Sequence, residues 1–221
     1  MKDLRGTYVH YGDVLRRRRR VRAVVMVMGL FTAGIMGARN WEPSIADAAD
    51  ATLADADRES LTGTRAFEGA QLERLTSIYN YSKRYKIATD LSTAIYDAAV
   101  AEHIDPALAF PLVRLESRFN EKALSPVGAV GLTQLMVPTA RGYVPGVTRE
   151  DLYDRDLNLT IGFRHLRGLI KSYRGNVQLA LLVYNRGGVA VELDRELGID
   201  PSNGYDRIVL KGYRGKGILD D

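Results

Sequence analysis

"DLNLTIGFRHLRGLIKSYRGNVQLALLVYN", residues 156–185, carries two apolar periodicities of one kind with a break between them. Leu159, Phe163, Leu166 and Ile170 recur three or four residues apart, the spacing that lines one face of an α-helix. Gly175-Asn176 interrupts the pattern, and "NVQLALLVYN" opens another helix.

The same signal extends upstream. Asp90 can cap a helix running to His103, with Leu91, Ile95 and Ala99 on one face. Asp105-Pro106 is a cap followed by proline at the first helical position, and it opens a helix toward Glu116. Pro111 falls inside that helix, where it removes a backbone donor at a cost of ~3 kcal/mol, so the helix either starts late or kinks. Over 62–86, Phe67, Leu72, Leu75, Ile78 and Tyr79 recur at helical spacing, giving a stalk or a leading helix. Tyr79, Tyr81, Tyr85 and Tyr96 cluster there, and helical packing explains them better than sugar stacking. No run alternates in the manner of a strand, so the fold class is all-α with one core.

A length of 221 residues suits one globular domain with a separate N-terminal attachment. The chain has no cysteine, which excludes disulfides, zinc-thiolate sites, iron–sulfur clusters and thiol nucleophiles together. The net charge of +4 is uneven: residues 1–38 hold eight basic and two acidic side chains, a net +6, leaving −2 for residues 39–221. An acidic body offers no broad footprint for phosphates, which argues against nucleic acid as a partner.

The arginines, five of them consecutive at 16–20, precede an uncharged apolar run at 23–38. Those sixteen residues span roughly 24 Å as a helix, against ~30 Å of hydrocarbon. Snorkelling arginine shortens that gap. The run reads as an uncleaved signal anchor, with a cleaved signal peptide the alternative because small residues stand near Gly37 and Ala38. By the positive-inside rule residues 1–22 stay in the cytoplasm and everything after the run is delivered to the extracytoplasmic side of the membrane. Residues 39–61 then read as a polar linker that need not fold. The globular domain is expected at 87–213, with a short tail at 214–221.

Most catalytic constellations are missing. There is no G-x-S-x-G, and Ser117 beside Glu116 has no positioned histidine. His10, His103 and His165 are scattered, so no metal site is expected, and His165 reads as structural. "GYRGKG" at 212–217 has no following helix to make it a phosphate loop, and no cofactor is implied. What remains is "RLESRFNEKALSPVGAVGLTQLMVPTA", 114–140, a carboxylate in a frame rich in small residues.

That stretch resembles the signature of the family 1 lytic transglycosylases, whose goose-lysozyme-like domain cleaves peptidoglycan. "ESRF" is similar to the family's E-S-x-F/Y, "ALSPVGAVGLTQLM" to A-x-S-x-x-G-A-x-G-L-M-Q-x-M, and "VYNRG" to A-Y-N-A-G. The blocks occur in order over 91–188. Thr133 stands where methionine is usual, the proline of "MVPTA" comes one place late, and Arg186 replaces the alanine of the last block. The resemblance implies a lysozyme-like fold in the cell envelope and peptidoglycan glycan strands as substrate. It also implies a lyase reaction ending in 1,6-anhydromuramyl product.

Within that reading Glu116 is the acid and then the base. A glutamic acid partly withdrawn from water keeps a proton near neutrality for a leaving glycosidic oxygen. By resemblance Ser125 sits near the acetamido group, Gln134 and Met136 line the strand, Tyr184 orients the glutamate and Asn185 supports the helix end. Each residue also has a plainer reading. A glutamate at a helix end is usually solvated, a methionine fills core, a tyrosine packs with its hydroxyl satisfied, and Gly128, Ala129 and Gly131 permit a turn. Two other functions keep the same residues: a lysozyme-like hydrolase that admits an activated water, and a non-catalytic, membrane-tethered wall-binding module.

Overall fold

The structure, a computed structural model, describes residues 45–219. The basic N-terminus and the apolar run at 23–38, with the membrane-targeting reading they carry, lie outside the described residues. Among the described residues no helix is long and apolar enough to cross a membrane. The secondary structure there is helical, with isolated bridges in place of strands, as the all-α reading expects.

The chain divides into two units, Met1–Leu61 and Thr62–Asp221, and helix α1 (Ile45–Tyr85) has residues in both. The segment read as a linker that need not fold is helical from Ile45 onward. Its alanine-rich composition explains the helix: alanine is the strongest helix former but contributes no apolar periodicity to read. An Asp55–Arg58 pair one turn apart, at 3.8 Å, adds weak local support.

In the second unit, Ile78 is buried at 2% exposure, whereas Phe67, Leu72, Leu75 and Tyr79 are 56–68% exposed. Helical spacing in α1 thus marked the helix correctly without marking a buried face. The tyrosine reading holds for Tyr81 and Tyr85, which stack on Phe110 at centroid distances of 4.0 and 5.6 Å.

Helix α2 (Thr89–Ala101) follows Ala88, which makes no side-chain cap. Asp90 is in the first turn and not at the cap, and it pairs with Arg155 at 3.1 Å. Helix α3 (Pro106–Ser117) starts as expected, with the Asp105 carboxylate accepting from the Ala107 amide at 2.8 Å. It does not start late, and it runs on through Pro111. Leu108, Ala109, Phe110, Leu112 and Val113 are wholly buried. Burial of large apolar side chains contributes ~1.5–3 kcal/mol each, enough to offset one proline.

Then come α4 (Val137–Arg141), a single 3₁₀ turn at Asp151–Tyr153, α5 (Arg155–Ser172), α6 (Val177–Arg186), α7 (Gly188–Glu196) and α8 (Tyr205–Val209). The segment 156–185 is α5 and α6, capped by Asp154 and Asn176 through the Leu157 and Leu179 amides at 2.8 and 2.9 Å. Leu159, Phe163, Leu166 and Ile170 are all buried. They join α3 in the main core, with α2 and α6 packed on α5 and with α8 packed on α3 and α6. A smaller core of Val130, Leu135, Ala140, Val147, Leu152 and Ile161 underlies the loop between α3 and α4.

The expected tail is tied into the domain. The Asp105 amide donates to the Gly217 carbonyl at 3.0 Å and the Leu219 amide to the His103 carbonyl at 2.9 Å.

Candidate active site

Glu116 is the penultimate residue of α3, and two left-handed residues follow that helix, Arg118 at φ 54° and Phe119 at φ 65°. That reversal ends the helix abruptly and leaves the carboxyl where helix gives way to loop. Tyr205, the first residue of α8 and 8% exposed, donates its hydroxyl to Glu116 Oε1. Burial pushes the Glu116 carboxyl from its ordinary 4.5 up to about 7, with the Tyr205 bond pulling the other way. Among the described residues no ion pair involves Glu116, and no second carboxylate bears on its titration. At neutral pH the group therefore interconverts between donor and acceptor of a proton.

The loop 118–136 is held by its own backbone. The Ser125 amide donates to the Ala129 carbonyl at 2.9 Å, and Ser125 Oγ accepts from the Ala129 amide at 2.9 Å. Gly128 completes this turn at φ 90°, a conformation that favours glycine. Gln134 is left-handed at φ 48°, and its side-chain amide donates to the Gly131 carbonyl at 2.9 Å. Met136 is 38% exposed and precedes α4, with Pro138 in that helix's first turn. Ser125 and Gln134 thus use side-chain groups to close loop backbone, and neither contacts Glu116 by hydrogen bond.

Among the described residues Tyr184 makes no hydrogen bond to Glu116. Its hydroxyl donates to the Thr133 carbonyl at 2.8 Å, while burial and the Glu116 charge hold it well above the ordinary tyrosine range. His165 packs between Tyr143 and Tyr184, accepting or donating at Nδ1 with the Tyr143 hydroxyl at 3.0 Å. Burial lowers its pKa, consistent with a structural histidine.

The departures from the family pattern have structural causes. Thr133 is wholly buried, and its amide and Oγ1 both donate to Asn158 Oδ1, at 2.9 and 2.7 Å. Asn158 Nδ2 returns to the Val130 and Leu152 carbonyls at 2.9 and 3.0 Å, pinning the loop onto α5. A Cβ at Gly131 would fall 2.4 Å from Asn158 Nδ2 and 2.8 Å from the Leu152 carbonyl oxygen, so glycine lets the Asn158 side chain close on the loop. Arg186 pairs with Asp194 at 2.7 Å and donates to the Pro201 carbonyl at 2.5 Å. Asn185 Oδ1 accepts from Asn203 Nδ2 at 2.9 Å, and Asn203 Oδ1 accepts from the Tyr205 amide at 3.1 Å. Asn185 and Arg186 therefore hold the loop that delivers Tyr205 to Glu116.

Tyr205 escaped the sequence reading. It is 89 positions from its partner, and the only local sign is the turn-rich "DPSNG" immediately before it. Asp206 beside it is buried and accepts from Ser202 Oγ at 2.7 Å and Gln178 Nε2 at 2.8 Å, which fixes the start of α8. Among the described residues no cluster of His, Asp and Glu could hold a metal ion.

Comparison with known proteins falls on this same region. The family model for the transglycosylase SLT domain matches residues 93–197. A transglycosylase of Enterobacteria phage PRD1 is 40% identical over 90 residues, covering 41% of this chain and 32% of the phage protein. The soluble lytic murein transglycosylase of Escherichia coli is 34% identical over 92 residues, covering 39% of this chain and 14% of that enzyme. The crystal structure of the 70 kDa soluble lytic transglycosylase from Escherichia coli aligns at TM-score 0.48 and 28% identity, over 59% of this chain and 24% of that one. The chain thus spans about a third or less of these relatives' lengths. The match to the transglycosylase SLT domain family is confined to residues 93–197, just under half of this chain.

Proposed function

We propose that this protein is a peptidoglycan lytic transglycosylase with a lysozyme-like fold, and that Glu116 is its sole catalytic carboxyl. The observation that carries the reading is one half-buried carboxyl, raised to about 7 and bonded to Tyr205, with no second carboxylate among the described residues acting on it. A hydrolase of the usual kind needs two acidic groups flanking the scissile bond. A single one suffices where the substrate supplies both the internal nucleophile and the final acceptor.

In the first step protonated Glu116 gives its proton to the glycosidic oxygen between N-acetylmuramic acid and N-acetylglucosamine. The C1–O bond breaks as the muramyl acetamido oxygen bonds to C1. In the second step the carboxylate takes the proton of the muramyl 6-hydroxyl, whose oxygen attacks C1 and displaces the acetamido group. The product is a 1,6-anhydromuramyl end, no water is consumed, and Glu116 finishes protonated. Both protonation states are needed in turn, and a pKa near neutrality makes both accessible. Tyr205 stabilises the carboxylate formed between the steps. Ser125 is assigned to the acetamido group, Gln134 and Met136 to the strand, and Tyr184 to holding the loop at Thr133.

The N-terminal apolar run at 23–38 tethers the domain at the membrane, with the N-terminus in the cytoplasm and the domain in the envelope. We assign residues 62–86 as a stalk or leading helix and residues 87–213 as the catalytic domain.

Mass spectrometry of fragments released from purified sacculi is the test. Anhydromuramyl ends are expected from the wild-type chain and none from Glu116→Gln, since general acid catalysis alone contributes ~10²–10⁴ in rate. Reducing ends carrying oxygen from labelled water would instead establish a hydrolase. No release by the folded wild-type chain would leave a wall-binding module.

A further inference from the structure

Leu61, Leu72, Leu75 and Tyr79 of α1 are each more than half exposed, and their spacing is regular. At about 100° per residue they lie within about 40° of one line drawn along the helix through Leu61. Ten residues share that line from Asp50 to Lys83, three or four positions apart throughout, which is the spacing of a seam between two packed helices. All ten are exposed. The line runs roughly 100° around the helix from Ile78, whose side chain is buried. Leu53 and Phe67, also exposed, lie off the line.

Reversed in direction, the line is its own complement. About a midpoint between Ala66 and Phe67, Leu61 mirrors Leu72, Ala54 mirrors Tyr79, Arg65 mirrors Glu68 and Asp50 mirrors Lys83. Leucine thus meets leucine, a small side chain meets a large one, and each cation meets a carboxylate. The one unlike pair is Asp57 with Leu75. Among the described residues none of Asp50, Arg65, Glu68 and Lys83 forms an ion pair, and Lys83 stands over the Tyr79 ring at 5.4 Å.

We propose that this stripe is a dimer interface, in which α1 of one copy packs antiparallel on α1 of a second copy about a two-fold axis between Ala66 and Phe67. Antiparallel packing makes every pair just named twice, once on each side of the axis, as an isologous contact requires. A parallel pair would instead set Asp50 on Asp50, Arg65 on Arg65, Glu68 on Glu68 and Lys83 on Lys83, four like-charge contacts in one seam. Arg65 and Glu68 flank the axis at the centre of the seam, where charged residues fix the register at some cost in stability. The chain's own apolar run at 23–38 is a poorer occupant, because it is uncharged and leaves those four charges unanswered.

The test uses the full chain in detergent, and the absence of native cysteine lets single introduced thiols report the geometry. Chains carrying Leu61→Cys and chains carrying Leu72→Cys, distinguished by a tag of different size, are mixed and oxidised. In the antiparallel pair position 61 meets position 72 of the other copy, whereas two like positions stand roughly 16 Å apart along the helices. A disulfide needs Cα atoms within ~7 Å, so the mixed disulfide is expected as the main product. Predominance of the two like-with-like dimers would establish a parallel pair and overturn the proposal. No disulfide at all also overturns it, and a sedimentation mass of one chain would then assign the stripe to a different protein. The register is tested separately by dissociation of the dimer in sedimentation. Arg65→Glu sets like charges opposite each other on both sides of the axis and should weaken association about tenfold, and adding Glu68→Arg should restore it. A double variant that associates no better than the single one overturns the register. None of these residues belongs to the candidate active site, so the outcome does not depend on the proposed activity.

Discussion

Replacing Glu116 by glutamine should stabilise the protein above pH 7 and leave it unchanged at pH 4, apart from a constant offset. The sign follows from burial. Below about 4.5 the carboxyl is protonated in both folded and unfolded chains, so it makes no difference to their balance. Between 4.5 and about 7 the unfolded chain ionises while the folded one keeps its proton. Stability therefore falls with rising pH by about 1.4 kcal/mol per pH unit and levels off once the folded group has ionised. Over that interval the loss reaches roughly 3 kcal/mol, and glutamine, which does not titrate, escapes it.

The glutamine carbonyl can still accept from Tyr205, and its buried amide adds a penalty of ~1 kcal/mol that does not vary with pH. The quantity to measure is accordingly the difference between variant and wild type as a function of pH. For a domain of this size roughly 3 kcal/mol corresponds to ~6–12 °C in melting temperature. Thermal unfolding of the two chains in matched buffers from pH 4 to 8 is sufficient. A difference that stays flat across that range would mean Glu116 titrates as an ordinary carboxylate. The case for it as a proton donor at neutral pH would then collapse, whatever the activity of the variant. The same experiment shows what the site costs the fold, because a group retained at the expense of stability is one kept for its chemistry.

Tyr205→Phe keeps the packing of a residue that is 8% exposed and removes its hydroxyl bond to Glu116. Hydrogen bonds to charged groups contribute ~1.5–3 kcal/mol, so the basic limb of the pH–rate profile should move up by about one to two pH units while turnover falls. An unchanged limb would remove Tyr205 from the site. Gly162→Ala places a Cβ 2.4 Å from Thr133 Oγ1 and 2.6 Å from Thr133 Cβ, so it should destabilise the fold by ~1–3 kcal/mol in urea titration. Thr133→Ser does not relieve that contact, and a stable double variant would show that the loop moves freely on α5.

The helices that carry the core were legible because their signal is local. Leu159, Phe163, Leu166 and Ile170 repeat at the period of the helix they form, and Asp105 and Asn176 announce the next helices by chemistry confined to a few residues. Where local chemistry was weak the reading slipped: alanine hid the helix before residue 62, and Asp90 resembled a cap although its carboxylate turns to Arg155. The site divides the same way. Glu116 could be found from its blocks, but the partner that bears on its proton is 89 positions away, and Tyr184, the tyrosine inside a block, bonds the Thr133 carbonyl instead. A pairing of that kind depends on how α8 docks on α3, which is decided by Asn185, Arg186 and Asp206 acting through loop contacts with no periodicity at all. The block "VYNRG" accordingly serves the glutamate at second hand, by holding in place the loop that brings Tyr205 to it.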